Sequence, residues 1–197
     1  MRKEIKFPIF LGSVCLIASA ALAGVNALTA PVIAQREEDA RNRGYLEALG
    51  LTSGAGYTMS ELQVAEGDLA TSGITGYVYF VEDASNTIFG AVYNGEVSGW
   101  ESGIKFQIGI ADGLFTGYIN ISNNETPTIG GQFITSLDAM LTGVDAGDSL
   151  AINDAINTYI TANFAGVTAN FAGVTRGGIT SALLAAGVHF DTLEVPA

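Results

Sequence analysis

Residues 174–181, Val-Thr-Arg-Gly-Gly-Ile-Thr-Ser, hold most of the side chains that could do chemistry in this 197-residue chain. They run directly into the apolar, helix-favouring Ala182-Leu183-Leu184-Ala185-Ala186 and stop at Gly187. The pattern predicts a glycine loop opening a helix. Gly177 and Gly178 would let the backbone turn its N–H groups towards a ligand, the helix start would add partial positive charge, and Arg176 would add a full one, a combination that suits a phosphate. Thr180 and Ser181 stand where such a helix would take its N-cap. The same string also reads as an ordinary turn before a capped helix. A second polar stretch, Ser122-Asn123-Asn124-Glu125-Thr126-Pro127-Thr128-Ile129-Gly130-Gly131, predicts a rigid turn in which Glu125 and Thr126 hydrogen-bond either a ligand or the loop's own backbone.

Charge narrows the ligands. Of the 8 basic residues only Lys105 and Arg176 lie beyond position 43; of the 20 acidic residues four lie before position 44, leaving sixteen acids against those two cations. A body so acidic repels nucleic acid and anionic membrane surfaces and makes Arg176 one of two cations open to a bound anion. Hydrolytic chemistry lacks candidates: His189 is the one histidine and reads as a surface or satisfied side chain. Cys15 is the one cysteine and lies in an apolar run, which excludes a disulfide framework, and no Cys/His metal pattern occurs. Trp100 and the tyrosines read as core and surface aromatics.

The elements that must position these residues begin with an anchor. Residues 7–34 carry no charge, longer than the roughly 20 residues a bilayer crossing needs. Arg2, Lys3 and Lys6 place the short N-terminal side in the cytoplasm and the body outside, as a single-pass protein of the cell (inner) membrane. Ala21-Leu22-Ala23 also has the form of a signal-peptide cleavage site. Three segments follow from this: residues 1–34 as cytoplasmic tip and anchor, 35–50 as a charged stalk helix ending near Gly50, and 51–197 as the body. In the body, strands are predicted at 76–81, 88–93, 104–110 and 114–121, with a hairpin at Asp112-Gly113 and a long link through Trp100. Helices are predicted at 132–141 and 148–160. Residues 162–168, Ala-Asn-Phe-Ala-Gly-Val-Thr, are repeated at once as 169–175, too short a unit for a solenoid. The fold class is therefore α+β: one N-terminal transmembrane helix, then an extracytoplasmic domain of antiparallel sheet and packed helices.

Three stretches in order resemble the membrane-anchored FMN-binding subunits of ion-pumping respiratory complexes, the G subunit of the Rnf ferredoxin:NAD oxidoreductase and the C subunit of the sodium-pumping NADH:quinone reductase. Residues 26–34, Asn-Ala-Leu-Thr-Ala-Pro-Val-Ile-Ala, lie where the anchor leaves the membrane. Residues 124–130, Asn-Glu-Thr-Pro-Thr-Ile-Gly, are similar to the family's His-Asn-Glu-Thr-Pro-Gly-Leu-Gly, with Asn123 for the His and Thr128 for the first Gly. Residues 174–181 resemble Asp-x-x-Ser-Gly-Ala-Thr-x-Thr-Ser without the Asp. The resemblance implies FMN as cofactor and Thr175, Arg176, Gly177, Gly178, Thr180, Ser181, Glu125 and Thr126 around it. The family's attachment threonine, which carries FMN through a phosphoester, falls on Thr180 in one register; in the other it falls on Gly178, and the trailing Thr-Ser is kept. The function implied is electron relay through FMN, with other subunits of a membrane electron-transport complex as partners. A flavin-free surface adhesin or assembly protein on the same fold is the alternative that the acidic, glycine-rich body favours.

Overall fold

The computed structural model describes residues 3–100, 103–164 and 173–195. The chain divides after Arg43 into a helical unit and a compact α+β unit from Gly44 onward. The first belongs to α1 (Lys3–Ala48), within which Phe10–Ile33 is long and apolar enough to cross a bilayer. The described side chains of that window are exposed.

In the second unit, β1 (Tyr57–Met59), β2 (Gln63–Val64), β3 (Ile74–Glu82), β4 (Thr87–Ser98), β5 (Gly103–Ala111) and β6 (Leu114–Ser122) form one open antiparallel sheet. β1 and β2 share the outer edge of β3, and the remaining strands follow in chain order. Alternation along the strands gives the sheet two apolar faces. Ala91, Tyr93, Ile104, Phe106 and Ile108 face the helices α3 (Gly130–Leu141), α4 (Ser149–Asn163) and α5 (Gly173–Phe190), joined by the short α2 (Gly67–Thr71). Val78, Phe80, Val92 and Ala111 face the other way and pack on Tyr45, Ala48 and Leu49.

The stalk's last turns are thus part of the domain core, and the domain begins at Gly44 where the sequence puts it at 51. Close approach explains the docking. A Cβ on Gly109 or Gly117 would run into the Ala48 carbonyl, and Thr116 donates its hydroxyl to that carbonyl at 2.7 Å. Gln107, buried in this face, donates to Asn94, whose amide reaches the Tyr45 hydroxyl. Gly50 ends the helix at a positive φ of 69°, with Leu51 N–H closing back on Leu46.

The four predicted strands are present. β4 continues through Gly95 to Ser98, replacing most of the expected link, because Gly95 leaves room for the Phe106 ring. Asp112 and Gly113 both have positive φ, 53° and 74°, as a two-residue hairpin turn requires. α3 and α4 match the predicted helices, and Asp148 caps α4 through Leu150 N–H at 2.8 Å. The repeat bridges two elements: its first copy begins in the end of α4, its second ends in the start of α5, and residues 165–172 lie outside the described residues.

The opening expectation is corrected. Residues 174–181 are not a loop; they are the first turns of α5, so Thr180 and Ser181 lie inside the helix and cannot cap it. Gly187 does not stop it either, since α5 runs to Phe190; it is the point where α5 touches the Ala146 backbone.

His189, near the end of α5, stands 3.0 Å by its Nδ1 from the Tyr93 hydroxyl and edge-on to Tyr77. Burial pushes the Tyr93 hydroxyl's pKa well up, so Tyr93 stays a neutral phenol that shares one hydrogen bond with the imidazole. Burial also lowers the His189 pKa. Below its unfolded value, roughly 6.5, the unfolded chain then binds a proton that the native chain does not, and stability falls as pH drops through that point. Denaturant unfolding of the detergent-solubilised chain between about pH 7 and 5.5 should show this decline, and His189→Gln should flatten it.

Candidate functional site

Glu125 is the centre of the site. The residue is only 6% exposed, although it lies in the turn between β6 and α3. Three features hold it there. Asn123 accepts from Glu125 N–H at 3.2 Å, which tightens the turn, and Thr126 O accepts from both Ile129 and Gly131 N–H at 3.0 Å. Gly99 and Gly130 leave the space that the carboxylate fills, since a Cβ at either position would collide with its oxygens. Thr175, 2% exposed, donates its hydroxyl to Glu125 Oε2 at 3.1 Å.

A cavity of about 460 Å³ opens here. It is lined, among the described residues, by Trp100, Glu125, Thr126, Ile129, Gly130, Gly173, Val174 and Thr175. That volume lies within the roughly 300–1,000 Å³ of small-molecule sites. Its walls are mostly apolar, with Trp100 75% exposed at the rim. Glu125 is the one ionisable side chain in the described lining. Residues 124–130 and 174–175, some fifty positions apart, therefore meet at one place.

The rest of the opening stretch points elsewhere, because a helix turns about 100° per residue and spreads neighbours around its axis. Arg176 donates to Asn157 Oδ1 at 2.9 Å and Asn153 Oδ1 at 3.2 Å, joining α5 to α4, and partial burial draws its pKa down. Gly177 faces open space. Gly178 lies against the Ser98 carbonyl and Val97 at the end of β4. Thr180 Oγ1 is covered and meets no hydrogen-bond partner among the described residues, and Ser181 donates back to Gly177 O at 3.0 Å. Of the eight residues predicted around a cofactor, Thr175, Glu125 and Thr126 line the cavity; Arg176, Gly177, Gly178, Thr180 and Ser181 do not.

Trp100, Gly99 and Val174 carry parts of the site that the sequence reading did not assign. Trp100 reads as an ordinary aromatic until β4 is seen to deliver it to the cavity, and no local signal marks Gly99. No group of His, Cys, Asp and Glu able to hold a metal occurs among the described residues. Comparison of the chain with protein-family models finds no match, and comparison with curated proteins finds none either.

Proposed function

We propose that the chain is a membrane-anchored flavoprotein subunit that relays electrons through FMN held in the Trp100–Glu125–Thr175 cavity. The observation that carries this reading is convergence. Residues 124–130 of one stretch that resembles the FMN-binding subunits and residues 174–175, the start of the other, meet at one cavity through the Glu125–Thr175 hydrogen bond. The apolar walls suit a planar ring, and a flavin supplies one-electron chemistry that asks no acid, base or nucleophile of the protein. The apolar window of α1, long enough to cross a bilayer, supports an anchor, and the basic residues before it favour an extracytoplasmic domain that would face partner subunits of a membrane electron-transport assembly.

Thr180 is covered and outside the described cavity lining, and Gly178 has no hydroxyl, which favours a flavin bound without a covalent link at either position. The full chain, expressed in membranes with and without a flavin transferase and purified in detergent, should be yellow in both cases. It should release its flavin on denaturation. Colourless protein from both preparations would contradict flavin binding and favour the flavin-free surface protein; flavin that stays with the denatured chain would contradict non-covalent attachment.

A further inference from the structure

The wall that α5 gives the cavity is its first turn, Gly173 to Thr175, and the local sequence holds that turn in a helix only weakly. Gly173 opens it and Gly177-Gly178 follow it, so the residue that, proline aside, least favours a helix fills three of the first six positions. The strong helix formers, Ala182 to Ala186, lie beyond the glycine pair.

Side-chain bonds to two neighbours hold the turn instead. Thr175 donates to Glu125 in the cavity wall. Arg176, about 100° further round the helix, donates through Nη1 to Asn157 Oδ1 at 2.9 Å and through Nη2 to Asn153 Oδ1 at 3.2 Å. The two asparagines are four residues apart and so share one face of α4. They follow Ile152 and Ile156, fully buried residues that fix α4 in the core. Asn153 also donates its amide to the Ser149 carbonyl at 2.8 Å, which sets the direction of its Oδ1. A guanidinium fork matches two acceptors one helical turn apart, whereas an ammonium on a single stem does not.

We infer that Arg176 is a positioning residue: from outside the described lining it clamps the first turn of α5 to α4, and so keeps Val174 and Thr175 in the cavity wall against the Glu125 turn. Its effect on ligands rests on the flavin reading above; the clamp itself does not.

The test uses the full chain in detergent, stripped of any bound flavin, and two readouts: amide hydrogen exchange, and equilibrium binding of riboflavin and of FMN. Arg176→Lys, and separately the pair Asn153→Ala and Asn157→Ala, should speed exchange in residues 174–178 and 125–131 at least about tenfold while leaving β3 to β5 unchanged. Each should weaken riboflavin and FMN by the same factor, about tenfold, the loss expected for a hydrogen bond from a charged donor. Combining them should cost no more than either alone. Gly177→Ala, whose methyl meets nothing within 4 Å, should restore part of the loss in the Arg176→Lys background by firming the helix. Asn157→Ala alone should give a smaller change of the same kind, which serves where the pair unfolds. A loss confined to FMN would make Arg176 a phosphate ligand and overturn the inference; so would additive losses, or exchange at 174–178 that the asparagine variants leave unchanged. Failure of the unsubstituted chain to bind either probe would overturn the flavin reading alone, with exchange still deciding the clamp.

Discussion

Replacing Gly109 by alanine is expected to destabilise the domain by at least about 3 kcal/mol, the upper end of the range for overpacking a closed site. The added methyl would enter the space of the Ala48 carbonyl and press on Thr116 Oγ1. Neither can yield cheaply. The carbonyl belongs to the last turn of α1, whose Tyr45, Ala48 and Leu49 are buried against this face of the sheet, and Thr116 is its hydrogen-bond donor. Relief would require lifting that turn away, which would expose the cluster and strip Gln107 and Asn94 of their cover. Thermal unfolding of the detergent-solubilised chain should show a midpoint lower by roughly 10 °C. A shift of less than about 2 °C would mean that residues 44–49 are not packed on the sheet.

The second expectation sets two glycines of α5 against each other. Glycine in a helix interior ordinarily costs about 0.5–1 kcal/mol relative to alanine, so exchange for alanine should stabilise. Gly177→Ala should do so, because nothing lies within 4 Å of the new methyl. Gly187→Ala should do the opposite and cost about 3 kcal/mol, because its methyl would overlap the carbonyl of Ala146, itself buried. The opposite signs distinguish helix from loop at residues 174–181. A left-handed Gly177 in a phosphate-cradling loop would instead be destabilised by alanine. Unfolding midpoints of the two variants, measured side by side, decide between them.

These glycines also explain where sequence and structure part. The hairpin at Asp112-Gly113 is legible because its turn chemistry is local: both residues must adopt positive φ, and strands β5 and β6 rich in β-branched and aromatic residues flank them. α4 is legible for the same reason, with Asp148 as cap and Ile152, Ile156 and Ile160 buried at helical spacing. Gly177-Gly178 misleads because glycine serves two purposes that look alike in sequence. One is conformational freedom; the other is close approach of a packed backbone, which is what Gly178 provides against Ser98 and Gly187 against Ala146. Only the tertiary neighbours tell them apart. β1 and β2, of three and two residues, are defined by pairing to β3 and carry no periodic signal of their own.

The site was half legible. Glu125, Thr126 and Thr175 stand out by type and by their place beside glycines and proline, whereas Trp100 and Gly99 enter it through the unexpected length of β4. Arg176 illustrates the converse: as one of two cations in the domain it looks like an anion ligand, yet two asparagine carbonyls one turn apart on α4 receive it.

Trp100 is the one tryptophan in the chain and lines the cavity, which makes the central claim directly measurable. Adding flavin to the stripped, detergent-solubilised chain should quench its emission saturably at one flavin per chain and shield the remaining emission from acrylamide, to which the exposed ring is otherwise open. Emission that flavin leaves unquenched, or quenching with acrylamide access unchanged, would contradict a flavin in this cavity.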